Sequence, residues 1–173
     1  FDKEGYYYKQ NPIGKNADFI TAPEISQLFG EILGLYIYNI WKSYFNTGLE
    51  SAKAGMVETS IDYFEWSAKL KPDNQEILYN LGVSYMTIGK MKEAIKAFTD
   101  SLKIDDSNSD AYANRAICFS YIDEKGKSLS DVKQAVKMGA VEAGLKQAIK
   151  LVEEKKLKEK KLSKIKKKTE NNN

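Results

Sequence analysis

The chain has 173 residues, 42% of them apolar, which is enough for one ordinary domain or a short repeat array with attachments. It contains no histidine and a single cysteine, Cys118, which excludes histidine-based acid–base catalysis, histidine-containing triads, most zinc sites and any internal disulfide. From Leu151 onward nine Lys stand against four Glu, so residues 1–150 carry about −2 and the net charge of +3 belongs to a tail, not to a nucleic-acid-binding face.

Residues 1–40 open the chain without internal periodicity. They hold no charged-then-apolar run, so no signal peptide is expected within them. Tyr6, Tyr7 and Tyr8 sit in a polar context, and Pro12 and Gly14 mark a turn. Thr21-Ala22-Pro23-Glu24 reads as a helix start: Thr21 caps, Pro23 suits an early helical position and Glu24 completes a capping box. Ile25, Leu28, Phe29, Ile32, Tyr36 and Ile40 follow at helical spacing. Gln27, Glu31 and Asn39 interrupt that apolar run, so no transmembrane span is expected, and the Gly30/Gly34 pair is a weak signal. No proline stands between Glu24 and Ala54, so one helix can run through, with Gly30, Gly34 and Gly48 as candidate kinks. Its apolar face (Ile25, Leu28, Phe29, Ile32, Ile40) is expected to cap the first repeat.

Gly5-Tyr6-Tyr7, the run Asp18-Phe19-Ile20-Thr21-Ala22-Pro23-Glu24-Ile25-Ser26-Gln27-Leu28-Phe29-Gly30-Glu31, and Gly34 resemble the opening motif of MidA-type methyltransferases. That group includes the mitochondrial arginine methyltransferase of complex I assembly. The resemblance implies Tyr7, Thr21, Glu24 and Gln27 as substrate-side residues. It also implies that a strand and a Glu-Leu-Gly-Pro-Gly-x-Gly loop for S-adenosylmethionine should follow, with glycines that let the backbone approach the ligand. After Trp41 no two glycines stand as G-x-G, so this segment reads as a fusion, relic or fragment lacking the donor-binding core.

From Trp41 the sequence repeats. Asn46, Asn80 and Asn114 are 34 residues apart, as are Tyr44, Leu78 and Tyr112, and Phe64, Phe98 and Val132. Small residues recur in register at Gly48, Gly82 and Ala116, and at Ser67, Ser101 and Ala135; Gly55 and Gly89 also coincide. In a helical hairpin the bulky columns fill the space between helices, the small ones let backbones approach, and a glycine opens the turn. Pro72 closes the first unit. A 34-residue period with these columns resembles the tetratricopeptide repeat. The implied fold is all-α: a TPR-like helical-hairpin solenoid of repeats at 41–74, 75–108 and 109–140. The outer two are degenerate, with Ser51 and Ser60 in unit one and Arg115, Asp123 and Ser128 in unit three at unusual positions. A generic helical bundle is the alternative. Residues 141–157, with Leu145, Ala148, Ile149 and Val152 at helical spacing, are expected to be a capping helix. Residues 158–173 are expected to be a lysine-rich tail: Lys155 to Lys168 reads as a fraying, solvated helix end, with contact to acidic lipid or nucleic acid as the alternative, and Asn171–Asn173 as a disordered terminus.

In the tetratricopeptide family the first helix of each unit faces a concave groove. The corresponding positions here are Phe45, Asn46 and Leu49, then Tyr79, Asn80, Val83 and Met86, then Asn114, Ile117 and Tyr121. The repeated asparagine resembles the family's asparagine that hydrogen-bonds a peptide backbone; its amide offers both donor and acceptor. The resemblance implies that a chaperone-tail clamp needs Lys, Asn, Lys and Arg where this chain has Phe45, Leu49, Asp110 and Asn114, and only Asn80 matches. Apolar side chains do not hold carboxylates and Asp110 repels them. An apolar or amphipathic peptide is the expected ligand, and Cys118 is expected in the core.

Two readings remain open on this sequence. One is a protein-binding scaffold with no cofactor and no specific nucleic acid. The other is a methyltransferase fragment using S-adenosylmethionine. A single cysteine points to a reducing compartment, cytoplasmic, or mitochondrial if the methyltransferase ancestry is eukaryotic.

Overall fold

The computed structural model describes the backbone of residues 22–170 and the side chains of residues 26–162. Tyr7, Thr21, the N-terminal tyrosines and Asn171–Asn173 lie outside the described residues, as do the side chains of Glu24 and Ile25. Among those described, seven helices make up the regular structure: α1 (Ala22–Lys53), α2 (Val57–Leu70), α3 (Gln75–Thr87), α4 (Met91–Ile104), α5 (Ser109–Tyr121), α6 (Lys125–Lys137) and α7 (Glu142–Glu170). The chain divides into two compact units, Phe1–Ile40 and Trp41–Asn173.

In the first unit α1 is unbroken at Gly30 and Gly34. One glycine costs a helix only about 1 kcal/mol, which flanking leucines and isoleucines override. Leu28, Phe29 and Ile32 are 48%, 67% and 57% exposed. The expectation that this face is buried fails for these residues.

In the second unit each 34-residue period is a hairpin. Asn74 and Asn108, one period apart, cap α3 and α5; their side chains accept from the Ile77 and Ala111 amides at 3.0 and 2.9 Å, each worth about 1 kcal/mol. Within each hairpin the chain turns through a left-handed residue: Gly55 (φ +78°), Gly89 (φ +81°) and then Asp123 (φ +67°). Asp123 looked out of place as a polar residue in a glycine column. The column selects for positive φ, which aspartate tolerates better than most side chains.

Packing follows the bulky and small columns. A Cβ added at Gly48 would sit 2.7 Å from the Phe64 ring, and one at Gly82 would sit 2.6 Å from Phe98. Both rings are fully buried. In the third unit the pair becomes Ala116 and Val132: a methyl appears where the opposing side chain has shrunk. Three successive clusters result, around Phe64 and Ile77, around Phe98 and Ala111, and around Val132 and Leu145.

The departures from the repeat are compensated by hydrogen bonds. Ser60 donates to the Val57 carbonyl at 2.7 Å and pairs with Ser84 at 3.0 Å, and Ser128 donates to the Ala116 carbonyl at 2.8 Å. Ser67 donates to the Trp41 carbonyl and Ser101 to the Gln75 carbonyl, the same bond one period apart. Arg115 grips Asp131 through two bonds of 2.7 and 2.9 Å and donates to Thr99 at 3.1 Å. Its guanidinium also lies over Tyr112 and Phe119, so it ties α4 to both helices of the third unit. Among the described residues no buried side-chain nitrogen or oxygen lacks a partner, which is what makes polar groups tolerable inside.

The capping helix does not stop at residue 157. α7 continues to Glu170, because Lys, Leu and Glu are strong helix formers. It packs chiefly on α5 and only lightly on α6, whereas α5, against the hairpin before it, packs chiefly on α4 and only lightly on α3.

Gly82→Ala is expected to destabilise the array by about 1–3 kcal/mol through overpacking against Phe98. Adding Phe98→Val, which copies the Ala116/Val132 solution, should cost less than the two single changes summed. Urea denaturation of the four species checks the coupling; strict additivity would refute it.

Candidate peptide-binding groove

The first helices of the three hairpins are the 41–53 part of α1, α3 and α5. Most of the sequence-derived groove residues are half-buried on their faces: Leu49, Tyr79, Asn80, Val83, Met86, Asn114, Ile117 and Tyr121. Asn46 is exposed, and Phe45 is buried, its ring 5.8 Å from Phe64. Phe45 therefore serves the core rather than the open face. The aliphatic residues rest on the three clusters in order, Leu49 on the first, Val83 on the second and Ile117 on the third.

One contact joins this face across units, and a second seats it on the core of its own unit. Asn114 donates from Nδ2 to the Tyr79 hydroxyl at 3.3 Å, and the Tyr79 ring packs 5.9 Å from Phe98. Burial raises the Tyr79 phenol above its ordinary range, with Asp110 adding to the effect and the Asn114 bond opposing it. Asn80 spends its amide donor on the Glu76 carbonyl of its own helix at 2.8 Å. Its carbonyl oxygen is the atom a ligand amide would meet.

Beyond the third unit, α7 packs on α5. Leu145 is buried in the column of Ile77 and Ala111, two buried residues one and two periods earlier. Further along, Ser120 donates to Glu153 at 3.2 Å. The Lys156 ammonium sits 2.6 Å from Asp123 and 5.6 Å from the Tyr121 ring. The Lys156 bond holds the Asp123 carboxyl below its ordinary range, assisted by Lys160 and Lys125. Asp123 thus closes a turn and anchors the last helix. Position 153 would carry an aromatic if it followed Tyr85 and Phe119, but it is glutamate. The side chain that would fill the gap between α6 and α7 is therefore absent. A cleft of about 290 Å³ opens there, lined by Leu129, Val132, Ile149, Lys146 and Glu153 among others.

Cys118 is buried in the second cluster, and burial pushes its thiol up to about 12. A thiol so rarely ionised is not a nucleophile at neutral pH. Tyr85 donates a short hydrogen bond to Glu65, and burial, then that bond, raises its phenol. Among the described residues no cluster of three or more acidic, cysteine or histidine side chains is placed to hold a metal, and no helix is long and apolar enough to cross a membrane. Of the residues implied by the methyltransferase resemblance, Gln27 is described; its amide donates to Glu31 at 3.0 Å, one turn along α1.

Paired helices on a 34-residue period, with small residues opposite buried rings, define an all-α solenoid of tetratricopeptide type. Residues 75–108 match the family model described as tetratricopeptide repeat. Among solved structures, the fold is similar to the second TPR of Spaghetti (RPAP3) bound to HSP90 peptide SRMEEVD. The TM-score is 0.56 at 22% identity, covering 57% of this chain and 92% of that one. It is also similar to the second TPR domain of human RPAP3 in complex with HSP70 peptide SGPTIEEVD. There the TM-score is 0.61 at 19% identity, covering 68% of this chain and 98% of that one. A 38-residue segment, 22% of this chain, is 53% identical to the mitochondrial protein arginine methyltransferase NDUFAF7 of Mus musculus. The match spans 9% of that protein's length, and it accords with the resemblance in the N-terminal motif.

Cys118 is expected to resist a disulfide reagent such as DTNB in the folded chain at pH 8 and to react fully in denaturant. Reaction of the folded chain at the denatured rate would contradict the burial that raises its thiol.

Proposed function

We propose that this chain is a protein-binding scaffold that takes an apolar or amphipathic peptide segment along the first-helix faces of its repeats. The observation that carries the reading is the aliphatic row of Leu49, Val83 and Ile117. Each of the three rests on a different core cluster yet remains partly accessible. Partly exposed aliphatics on a rigid surface gain free energy when a ligand removes them from water. Asn46, Asn80 and Asn114 run beside the row at one amide per unit, suited to a polar edge or backbone of the bound segment.

The two RPAP3 domains carry chaperone peptides that end in Glu-Val-Asp. This face is poorly suited to such an end. Phe45 and Asp110 stand where the two-carboxylate clamp needs basic groups, and an aspartate repels a terminal carboxylate at close range. On a peptide array containing apolar, amphipathic and acidic-ended sequences, the amphipathic ones are expected to bind and to remain bound at high salt. Val83→Asp is expected to abolish that binding. Preference for acidic-ended peptides, lost as salt screens it, would overturn the proposal.

A second reading is favoured by the 53% identity of the matched segment: the chain as a fragment of, or fusion to, an S-adenosylmethionine-dependent arginine methyltransferase. Its support stops at that segment, since the sequence that follows in this chain is repeat array. Thermal melting with and without millimolar S-adenosylmethionine separates the readings. The scaffold reading expects no shift. A donor present at about a hundred times its dissociation constant would stabilise the fold by about 2.7 kcal/mol, several degrees for a domain of this size, and would put the enzyme first.

A further inference from the structure

The ninth position of each period carries an aliphatic side chain four times, not three. Leu49, Val83, Ile117 and Leu151 stand 34 residues apart, and the fourth belongs to α7, beyond the last hairpin. Leu145 fixes the register. It is buried against Ala116, Val132 and Ala135 in the column where Ile77 and Ala111 are buried before it. With Leu145 in that column, Leu151 takes on α7 the helical phase that Ile117 takes on α5. Leu151 is 57% exposed. A leucine at this phase adds nothing to the packing of α7, whose buried side is set by Leu145, Ile149 and Val152.

The two rims beside this row differ in charge. Toward the start of the first helices, Glu76 and Asp110 occupy the middle two rungs, with Lys42 and Gly144 outside them. Toward their ends, Lys53 and Lys155 occupy the outer two rungs, with Thr87 and Tyr121 between. Glu76, Asp110, Lys53 and Lys155 are all exposed. Packed helix axes lie about 9 Å apart, so four rungs span about 27 Å. An extended strand repeats its side chains on one face about every 6.7 Å, out of step with such rungs. A helix with a continuous apolar seam meets all four, and about 18 residues reach across.

Resting on the groove reading above, we propose that the occupant is an amphipathic α-helix laid across all four first-position helices, α7 included. Its seam covers Leu49, Val83, Ile117 and Leu151. One flank is basic at its centre, opposite Glu76 and Asp110. The other is acidic near both ends, opposite Lys53 and Lys155. The C-terminal helix is then part of the binding surface as well as a cap.

The test uses the full chain and three labelled synthetic peptides of about 18 residues with one leucine seam: flank charges matched, flank charges reversed, and matched but interrupted by proline. Fluorescence anisotropy is expected to show binding of the matched peptide. Leu151→Asp should weaken it by about tenfold or more, with an unchanged melting curve because Leu151 is exposed. The reversed peptide should bind more weakly, by a margin that shrinks in salt, and the proline peptide should not bind. Failure of the matched peptide to bind the unmodified chain overturns the proposal, while binding on the peptide array would still uphold the groove. Unchanged affinity in Leu151→Asp, with loss in Val83→Asp (or in Val83→Thr if the first variant melts early), overturns the fourth rung and leaves the three-unit groove standing. Unchanged affinity in every variant overturns the groove itself. Equal affinity for the reversed or proline peptide overturns the rim pattern or the helical occupant respectively.

Discussion

The distance between the two helices of a hairpin depends on whether a phenylalanine ring can lie against a residue that has no side chain. At Gly48 and Gly82 the rings of Phe64 and Phe98 occupy the space where a Cβ would project. That contact fixes how far each first helix stands from its second. It therefore fixes the direction in which Leu49 and Val83 are presented. The third unit keeps the separation by other means, a larger small residue and a smaller large one, Ala116 with Val132. Conserved volume rather than conserved residue type carries the geometry forward, as expected of an interior packed to crystal-like density.

Once the hairpins are formed, they hold one another through contacts that differ from step to step. Between units one and two, the Ser60–Ser84 pair joins the apolar cluster around Phe64 and Ile77. Between units two and three, Arg115 spans Thr99 and Asp131 while stacking on two aromatic rings. A guanidinium buried this far is tolerable because its carboxylate partner accepts two bonds at once. At the last step Leu145 starts the packing, and the Lys156–Asp123 bond continues it where Glu153 replaces an aromatic. The solenoid thus passes from a mainly apolar interface to a mainly polar one along its length. Its stability as a stack is a sum of such nearest-neighbour terms.

The functional consequence is a surface whose parts are far apart in sequence and evenly spaced in the fold. The aliphatic row and the asparagine row each take one residue per period, and neither forms a cavity by itself. A small molecule would find little enclosure on such a face, whereas a long ligand can touch every rung. The N-terminal unit is a separate matter, since the similarity there is to a short stretch, 9% of the length, of an enzyme.

The sequence by itself determined the period, the hairpin boundaries, the small and bulky columns and the N-terminal motif. These are local patterns or equal spacings, and both survive without knowledge of any contact. It misjudged the face of Leu28, Phe29 and Ile32, because helical periodicity marks an apolar side without saying whether anything lies against it. It set the capping helix at 141–157 and read Lys155 to Lys168 as its fraying end, and the backbone stays helical to Glu170, because lysine-rich composition thins the apolar stripe without breaking the helix. It assigned Phe45 to the groove, because the step from core to open face is a fraction of a helical turn. What only the tertiary structure decided is how the irregular residues are accommodated: Arg115 with Asp131, Ser60 with Ser84, Asp123 at positive φ. Each depends on a partner or a backbone angle supplied by another part of the chain. Which helix α7 packs on, chiefly α5, was settled there too, because a helical stripe in the sequence does not name its partner.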